Sequence, residues 1–225
     1  MTSKNIFVAC DLSSQKEILD LLELIHEDIS GIKIGLQYIT QRSPDEIRQL
    51  SKFKKPIFYD GKFFDIKNTL IESVRSLKDL NVNYATVHLL NGLDALKAAN
   101  RAAQEINLNL LGVSVLTSFN DEDLESLGFN GKVEDQVKRL IKIAMKANLH
   151  GVICSPLEVK LIKEISQDLK CFTPGIRVGK AKDDQKRTMN ANEAIKAGSD
   201  CLIIGRPITE GNPKENIKII LSSID

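Results

Sequence analysis

The chain has no tryptophan, few aromatic residues and no excess of charge of either sign. Aromatic side chains make up 5% of its 225 residues, and 31 basic residues are balanced by 30 acidic ones, for a formal net charge of +1. Proteins that bind nucleic acid or anionic membranes usually carry a basic surface, and single-stranded nucleic acid is also bound by stacking on aromatic rings. The composition therefore predicts no nucleic acid and no membrane as partners.

Long apolar segments and clustered metal ligands are also missing. No stretch approaches the roughly 18 apolar residues of a membrane-spanning helix, and the first residues, Met-Thr-Ser-Lys-Asn, lack the apolar core of a signal peptide. The four cysteines form no Cys-x-x-Cys pair, and the three histidines are scattered. These absences predict a soluble cytoplasmic protein with reduced, buried cysteines and no metal site.

What the sequence does contain is a regular alternation of short apolar runs and amphipathic segments. Eight apolar runs are predicted to be strands: Ile6–Cys10, Ile32–Leu36, Pro56–Tyr59, Tyr84–His88, Leu108–Val115, Gly151–Cys154, Cys171–Phe172 and Cys201–Ile204. Between them, apolar residues recur at the spacing of one helix face. Ser14 with Glu17, and Thr69 with Glu72, have the spacing of capping boxes at helix starts, and Pro213 stands where a closing helix would begin.

This alternation predicts an α/β protein with one domain over residues 1–225. Eight strand–helix repeats in about 220 residues, without a linker rich in proline or glycine, fit a single (β/α)₈ barrel, the TIM barrel. A doubly wound sheet is the alternative. It usually has a glycine-rich turn after its first strand, and the sequence there is Cys-Asp-Leu-Ser-Ser.

Polar residues follow the predicted strands, where the active-site loops of such a barrel lie. The densest group is Asp60, Lys62 and Asp65, just after the third strand. Two carboxylates and an ammonium at a strand end contribute little to packing, so they predict catalysis by charged groups. Lys33 lies inside the second predicted strand, where a lysine must be paired or reach a polar opening; a solubilising charge on an edge strand is the alternative.

Gly205 and Arg206 follow the last predicted strand and have the character of a phosphate site. Barrels of this kind commonly bind phosphate after strands seven and eight, through backbone N–H groups and a nearby helix start. Glycine allows close backbone approach, and arginine offers a bidentate charged fork. The segment 173–177, Thr-Pro-Gly-Ile-Arg, and Gln185 come from the preceding loop and could close over the same ligand. An ordinary surface ion pair is the alternative for Arg206.

Taken in order, these segments resemble the bacterial type of the orotidine 5′-phosphate decarboxylase family over nearly the whole chain. The resemblance is carried by residues 9–11, 32–35, 60–69, 87–88, 115–118, 173–177, 183–187 and 204–208. The sequence departs from the usual pattern at Asn91, where glycine is usual, and at Val178, where proline is common. These departures concern loop shape more than chemistry.

The resemblance implies an enzyme of de novo pyrimidine biosynthesis that removes CO₂ from C6 of orotidine 5′-phosphate and leaves uridine 5′-phosphate, without a cofactor. It implies a catalytic array of Lys33, Asp60, Lys62 and, from the other subunit of a homodimer, Asp65. Lys62 would be the proton donor. The substrate-binding residues that it implies are Asp11, Lys33, Asp60, Thr69, Thr117, Pro174, Arg177, Gln185, Gly205 and Arg206.

Two other functions stay open on the sequence. A Mg²⁺-dependent sugar-phosphate lyase or decarboxylase of the same superfamily, such as a ketogulonate-phosphate decarboxylase or a hexulose-phosphate synthase, would share the pattern of residues 60–65. A non-catalytic nucleotide-binding barrel would keep Arg206 and have lost turnover. Lys33, Thr117 and the 184–185 loop favour the nucleotide enzyme.

Overall fold

Eight parallel strands close into a barrel in the computed structural model, which describes residues 5–177 and 187–224. Each strand is hydrogen-bonded to the next one along the chain, and the last is hydrogen-bonded to the first. The strands are β1 Ile6–Ala9, β2 Gly31–Gly35, β3 Ile57–Phe63, β4 Tyr84–His88, β5 Asn109–Val113, β6 Gly151–Ile153, β7 Lys170–Thr173 and β8 Cys201–Ile204. The predicted (β/α)₈ barrel is confirmed.

Helices connect the strands and surround the barrel. They are α1 Gln15–Ile25, α2 Leu36–Ile39, α3 Pro44–Gln49, α4 Lys67–Arg75, α5 Leu93–Glu105, α6 Asp121–Ser126, α7 Val133–Lys146, α8 Val159–Ile165, α9 Ala191–Lys196, α10 Arg206–Thr209 and α11 Pro213–Ile224. Short 3₁₀ turns lie at His26–Asp28, Leu50–Phe53, Ser76–Leu80, Leu89–Asn91 and Pro156–Glu158. None of the helices in the described part of the chain has the length and apolar character of a transmembrane segment.

The local signals at helix starts give one correction. Ser14 and Glu17 form the predicted capping box at the start of α1, and α11 begins at Pro213 as expected. The capping box predicted for Thr69 is wrong, because α4 begins at Lys67 and Thr69 lies inside its first turn. The N–H of Leu70 already donates to the carbonyl oxygen of Ile66, so the helical hydrogen bonding starts before Thr69.

Packing is divided between the outside and the inside of the barrel. Outward-facing strand residues such as Val87 join helix residues such as Leu96 in the larger apolar clusters. Inside, four aromatic rings pack against one another near the strand starts, five pairs edge to face and the Tyr84–Phe172 pair tilted, with centroids 5.4–6.5 Å apart: Phe7, Phe58, Tyr84 and Phe172. Gly31 makes room for this aromatic cluster, since an added Cβ would lie 2.2 Å from the Phe7 ring. The cluster fills the barrel interior near the amino-terminal ends of the strands.

The remaining fold predictions divide into one that is confirmed and one that stays open. All four cysteines are buried and unbridged, as expected of reduced thiols packed as small apolar side chains. The assignment of residues 1–225 to one domain stays a prediction, and the closed barrel together with α11 supports it.

The aromatic cluster should be a main source of stability. Replacing Phe58, which is fully buried, by alanine removes the ring and leaves a cavity, so we expect the free energy of unfolding to fall by about 3–5 kcal/mol. Leu127→Ala is the matched control, because Leu127 is 59% exposed and its loss should change that free energy by no more than about 0.5 kcal/mol. Urea denaturation of both variants measures the difference. Equal effects in the two variants would contradict this role of the cluster.

Candidate active site

A cavity of about 700 Å³ opens at the carboxyl ends of the strands. Its wall is built from the ends of the strands and from the loops that follow them, which is where the sequence placed the polar residues. Of the predicted site residues, the cavity wall contains Asp11, Lys33, Asp60, Lys62, Thr117, Pro174, Arg177, Gly205 and Arg206. Residues that lie more than 190 positions apart in the chain are thereby brought to one cavity, as with Asp11 and Arg206.

Four charged side chains alternate in sign along one wall of this cavity. The Nζ atom of Lys33 lies 3.2 Å from Oδ2 of Asp11 and 3.6 Å from Oδ2 of Asp60. The Nζ atom of Lys62 donates to the same Asp60 oxygen at 2.8 Å. We call these four residues, Asp11, Lys33, Asp60 and Lys62, the charged row. Because β2 is hydrogen-bonded to β1 and β3, Lys33 is not on an edge strand, and the alternative of a solubilising edge charge is wrong.

Asp60 is the most deeply buried carboxylate of the row. Burial by itself would raise the pKa of Asp60, but the positive charges of Lys33 and Lys62, with hydrogen bonds from Lys62 and Thr86, outweigh it, and the pKa lies below its ordinary value. The carboxylate is therefore ionised at neutral pH. A buried negative charge between two ammonium groups gives the cavity a fixed electrostatic field.

The backbone of β3 is irregular where it carries these residues. The strand continues past its predicted end at Tyr59 to Phe63, so Asp60 and Lys62 lie within it. Lys62 has a φ of +47°, in the left-handed region that a side chain rarely adopts, and the pairing with β4 shifts register between Tyr59 and Phe63. Backbone strain of this kind is concentrated at functional sites, where the surroundings hold it in place.

Thr86 holds this irregular stretch, and the sequence reasoning missed it. The backbone N–H of Lys62 donates to Oγ1 of Thr86 at 2.8 Å, and the Thr86 hydroxyl donates to Oδ1 of Asp60 at 2.9 Å. Thr86 is fully buried on β4. A sequence signal did exist, because Tyr84, Thr86 and His88 alternate with apolar residues and so face the barrel interior together.

His88, at the end of β4, lies near enough to Lys62 to be affected by its positive charge. Burial first, and the positive charge of Lys62 second, hold the pKa of His88 below its ordinary value, so the ring is neutral at pH 7. Its Nδ1 accepts a hydrogen bond from the backbone N–H of Leu90. The ring also lies against Phe64, with centroids 5.6 Å apart.

The part of the cavity wall that follows β7 and β8 carries the predicted phosphate residues. Gly205 follows β8, Arg206 begins α10, and Pro174, Gly175 and Arg177 follow β7. Gly175 has a φ of +81°, which favours glycine, and its carbonyl oxygen accepts from the N–H of Met189. Gln185 lies outside the residues that the structure describes.

Asp65 and Thr69 do not line the cavity of their own chain. Both are exposed: Asp65 lies between β3 and α4, and Thr69 lies in the first turn of α4. Oδ1 of Asp65 accepts a hydrogen bond from the backbone N–H of Ile66 at 2.7 Å. Within one chain, the charged row and Asp65 are therefore separate features, although only two residues lie between Lys62 and Asp65 in the sequence.

Comparison with known proteins gives consistent matches over the whole chain. A family model described as "Orotidine 5′-phosphate decarboxylase / HUMPS family" matches residues 4–220. A protein named orotidine 5′-phosphate decarboxylase from Wolbachia pipientis is 39% identical over 221 residues, covering 97% of this chain and 98% of that protein. One of the same name from Haemophilus influenzae (strain Rd) is 39% identical over 230 residues and covers both chains completely.

A solved structure agrees with these sequence matches. The crystal structure of orotidine 5′-phosphate decarboxylase from Lactobacillus acidophilus superimposes with a TM-score of 0.86 at 30% identity, over 99% of both chains.

Replacing Thr86 by valine should disturb the charged row measurably. The variant keeps the side-chain shape but leaves the Lys62 N–H and the Asp60 carboxylate each without one buried partner, so we expect the free energy of unfolding to fall by about 2–4 kcal/mol. The pKa of Asp60 should rise, because one hydrogen bond to its charged form is lost. Carbon-13 NMR titration of the Asp60 carboxyl group measures the second effect. Thr86→Ser is the control, since it keeps the hydroxyl; a pKa that is the same in both variants would contradict the role of Thr86.

Proposed function

The chain belongs to the orotidine 5′-phosphate decarboxylase / HUMPS family, and from this premise we propose that it converts orotidine 5′-phosphate to uridine 5′-phosphate and CO₂ in pyrimidine biosynthesis. The observation that carries the proposal is the charged row, in which a buried carboxylate lies between two ammonium groups inside one cavity. The relatives named orotidine 5′-phosphate decarboxylase match over the full length of this chain, which supports the same activity here.

The reaction requires positive charge and a proton at one carbon atom. When the bond between C6 and the carboxylate breaks, CO₂ leaves and the electron pair stays on C6. The Lys62 ammonium, held by Asp60 and partly exposed to the cavity, stabilises this negative charge and then transfers a proton to C6. Solvent returns a proton to Lys62 after the product has left.

Asp60 acts on the carboxylate group that leaves. Its carboxylate stays ionised because of the adjacent lysines, and it would lie against the departing carboxylate of the substrate. Repulsion between the two carboxylates is relieved when CO₂ leaves, whereas the attraction between Lys62 and C6 grows. Thr86 and Lys33 hold Asp60 in this position.

The rest of the cavity suits the remainder of a nucleotide. A volume of about 700 Å³ lies in the range of small-molecule sites, roughly 300–1,000 Å³. We place the phosphate at Gly205 and Arg206, the ribose hydroxyls at Asp11 and Lys33, and the pyrimidine near Thr117. Binding energy from the phosphate can then orient C6 against Lys62 without taking part in the chemistry.

Asp65 completes the array from a second subunit in this proposal. It is flanked by Phe64 and Ile66, whose side chains are 62% and 75% exposed. Leu90 precedes Asn91, whose side chain bonds to the Asp65 backbone, and is 40% exposed. Apolar side chains that surround a carboxylate at the surface favour burial against another copy of the chain. We therefore propose a homodimer in which each chain supplies Asp65, and Thr69 from the same segment, to the other chain's cavity.

The buried, unbridged cysteines support a cytoplasmic location, because a reducing compartment maintains free thiols.

A direct assay tests the activity and separates it from the Mg²⁺-dependent lyases. We expect the protein to convert orotidine 5′-phosphate to uridine 5′-phosphate at the same rate with and without EDTA, because Lys33 already pairs with both carboxylates, Asp11 and Asp60, that could otherwise hold a cation. Lys62→Ala should lower kcat by a factor of about 10³ or more, since it removes both the charge and the proton donor. Calorimetry should show that this variant still binds uridine 5′-phosphate.

Two results would contradict the proposal. Loss of turnover in EDTA, restored by Mg²⁺, would point to a metal-dependent lyase. Binding of uridine 5′-phosphate without any release of CO₂ from the substrate would point to a non-catalytic nucleotide-binding barrel.

Mixing two inactive variants tests the shared site. Asp65→Asn and Lys62→Ala each inactivate every site of their own homodimers, but a hybrid dimer contains one site with both an intact Lys62 and an intact Asp65 from the partner. Random exchange makes about half of the dimers hybrid, so the mixture should recover about a quarter of the wild-type activity. Exchange is verified with two different affinity tags. No recovery after verified exchange would mean that each site is complete within one chain.

A further inference from the structure

Asn91 makes three hydrogen bonds around the segment that carries Asp65, and we propose that it is a positioning residue for the Asp65 carboxylate. Its Nδ2 donates to the carbonyl oxygens of Phe63 at 2.9 Å and His88 at 2.8 Å. Its Oδ1 accepts from the backbone N–H of Asp65 at 3.1 Å. The inference rests on the proposed function, because it assigns Asn91 a role through Asp65.

The three contacts use both donors and the acceptor of the amide group, so the network itself defines which end is nitrogen. Asn91 is the last residue of the 3₁₀ turn that follows β4. Phe63 is the last residue of β3, and Asp65 lies two residues beyond it. One side chain therefore fixes the turn after β4 to the exit of β3 at two points on either side of Phe64.

The Asp65 segment needs such support because its own elements supply little. Residues 64–69 are exposed, and α4 begins at Lys67 without a side-chain cap. The Asp65 carboxylate bonds only to the adjacent Ile66 N–H among the contacts that the structure gives it. Its backbone N–H donates to Asn91 rather than to a neighbouring strand. Without Asn91, few contacts would hold the backbone of Asp65 in one position relative to the barrel.

A small shift at this point matters for catalysis. A charged group contributes to a transition state only when it is held close to its productive position, and a displacement of about 1 Å can lower the rate about a hundredfold. Since Asp65 is proposed to act in the partner's cavity, the loss of Asn91 should slow the partner's site and leave the site of its own chain intact. An asparagine that only stabilised its own chain would not affect the partner's site in this selective way.

The matched control is Asn100, a second asparagine whose Nδ2 donates to two backbone carbonyl oxygens, those of Ala147 at 3.3 Å and Asn148 at 2.8 Å. It lies on α5, outside the cavity wall. Asn91→Ala and Asn100→Ala each remove a side chain that ties two segments together. We expect both to lower the thermal stability, but only Asn91→Ala to lower kcat/KM for orotidine 5′-phosphate, by about tenfold to a hundredfold.

Hybrid dimers give the decisive measurement. A dimer of one Asn91→Ala chain and one Lys62→Ala chain, isolated with two tags, has one competent site, which combines Lys62 of the first chain with Asp65 held by the intact Asn91 of the second. We expect this site to turn over at the wild-type rate per site, although Asn91→Ala homodimers are slow. If the hybrid site is as slow as the homodimer, Asn91 acts within its own chain and the inference is wrong.

A double-mutant cycle gives an independent measurement if the hybrids cannot be isolated. The residual turnover of Asp65→Asn is measured at high enzyme concentration, and in that background Asn91→Ala should change kcat/KM by less than twofold, because the residue through which it acts is already lost. A full tenfold effect in that background would overturn the inference. Asn91→Ser replaces Asn91→Ala in both experiments should the alanine variant not fold.

The outcomes distinguish this inference from the proposed function. If the wild-type protein does not decarboxylate orotidine 5′-phosphate, both the proposed function and the inference are wrong. An active wild type whose Asn91→Ala variant keeps full kcat/KM removes the inference alone.

Discussion

The structure of the site depends on the attraction between one buried carboxylate and two ammonium groups. Asp60 lies between Lys33 and Lys62 in the wall of the cavity, and each of these charges would be costly to bury alone. The three therefore constrain one another, and with them the ends of β2 and β3. Charges that are already desolvated and fixed need no rearrangement during a reaction, which is the property that an enzyme without an electron-accepting cofactor requires.

This arrangement lies on an irregular part of a strand. Asp60 and Lys62 are two residues apart on β3 and so face the same cavity, and the left-handed conformation of Lys62 and the register shift of β3 against β4 occur at the same place. The buried hydroxyl of Thr86 bonds to both residues and compensates for the ladder hydrogen bonds that the shift disturbs. The aromatic cluster packs the strands tightly at the other end of the barrel, away from this irregular stretch.

The exit of β3 has a second role in the proposed dimer. Asp60 and Lys62 face the chain's own cavity, whereas Asp65 leaves the barrel on an exposed segment with apolar neighbours. Asn91 connects that segment to the turn after β4. Residues at the end of β3 would thus serve two cavities. The position of the Asp65 carboxylate in one cavity would depend on how firmly the other chain holds the segment that carries Asp65.

The sequence by itself determined the barrel and the residues of the charged row, because hydrophobic periodicity and charged residues at strand ends are local signals. It located β8 and the Ser14–Glu17 cap correctly for the same reason. It placed the end of β3 too early, since the apolar run stops at Tyr59 although polar residues facing a barrel opening can remain in the hydrogen-bond ladder. Only the tertiary structure decided the conformation of Lys62, the role of Thr86 and the contacts of Asn91, because each depends on an atom from a strand or turn more than twenty residues away.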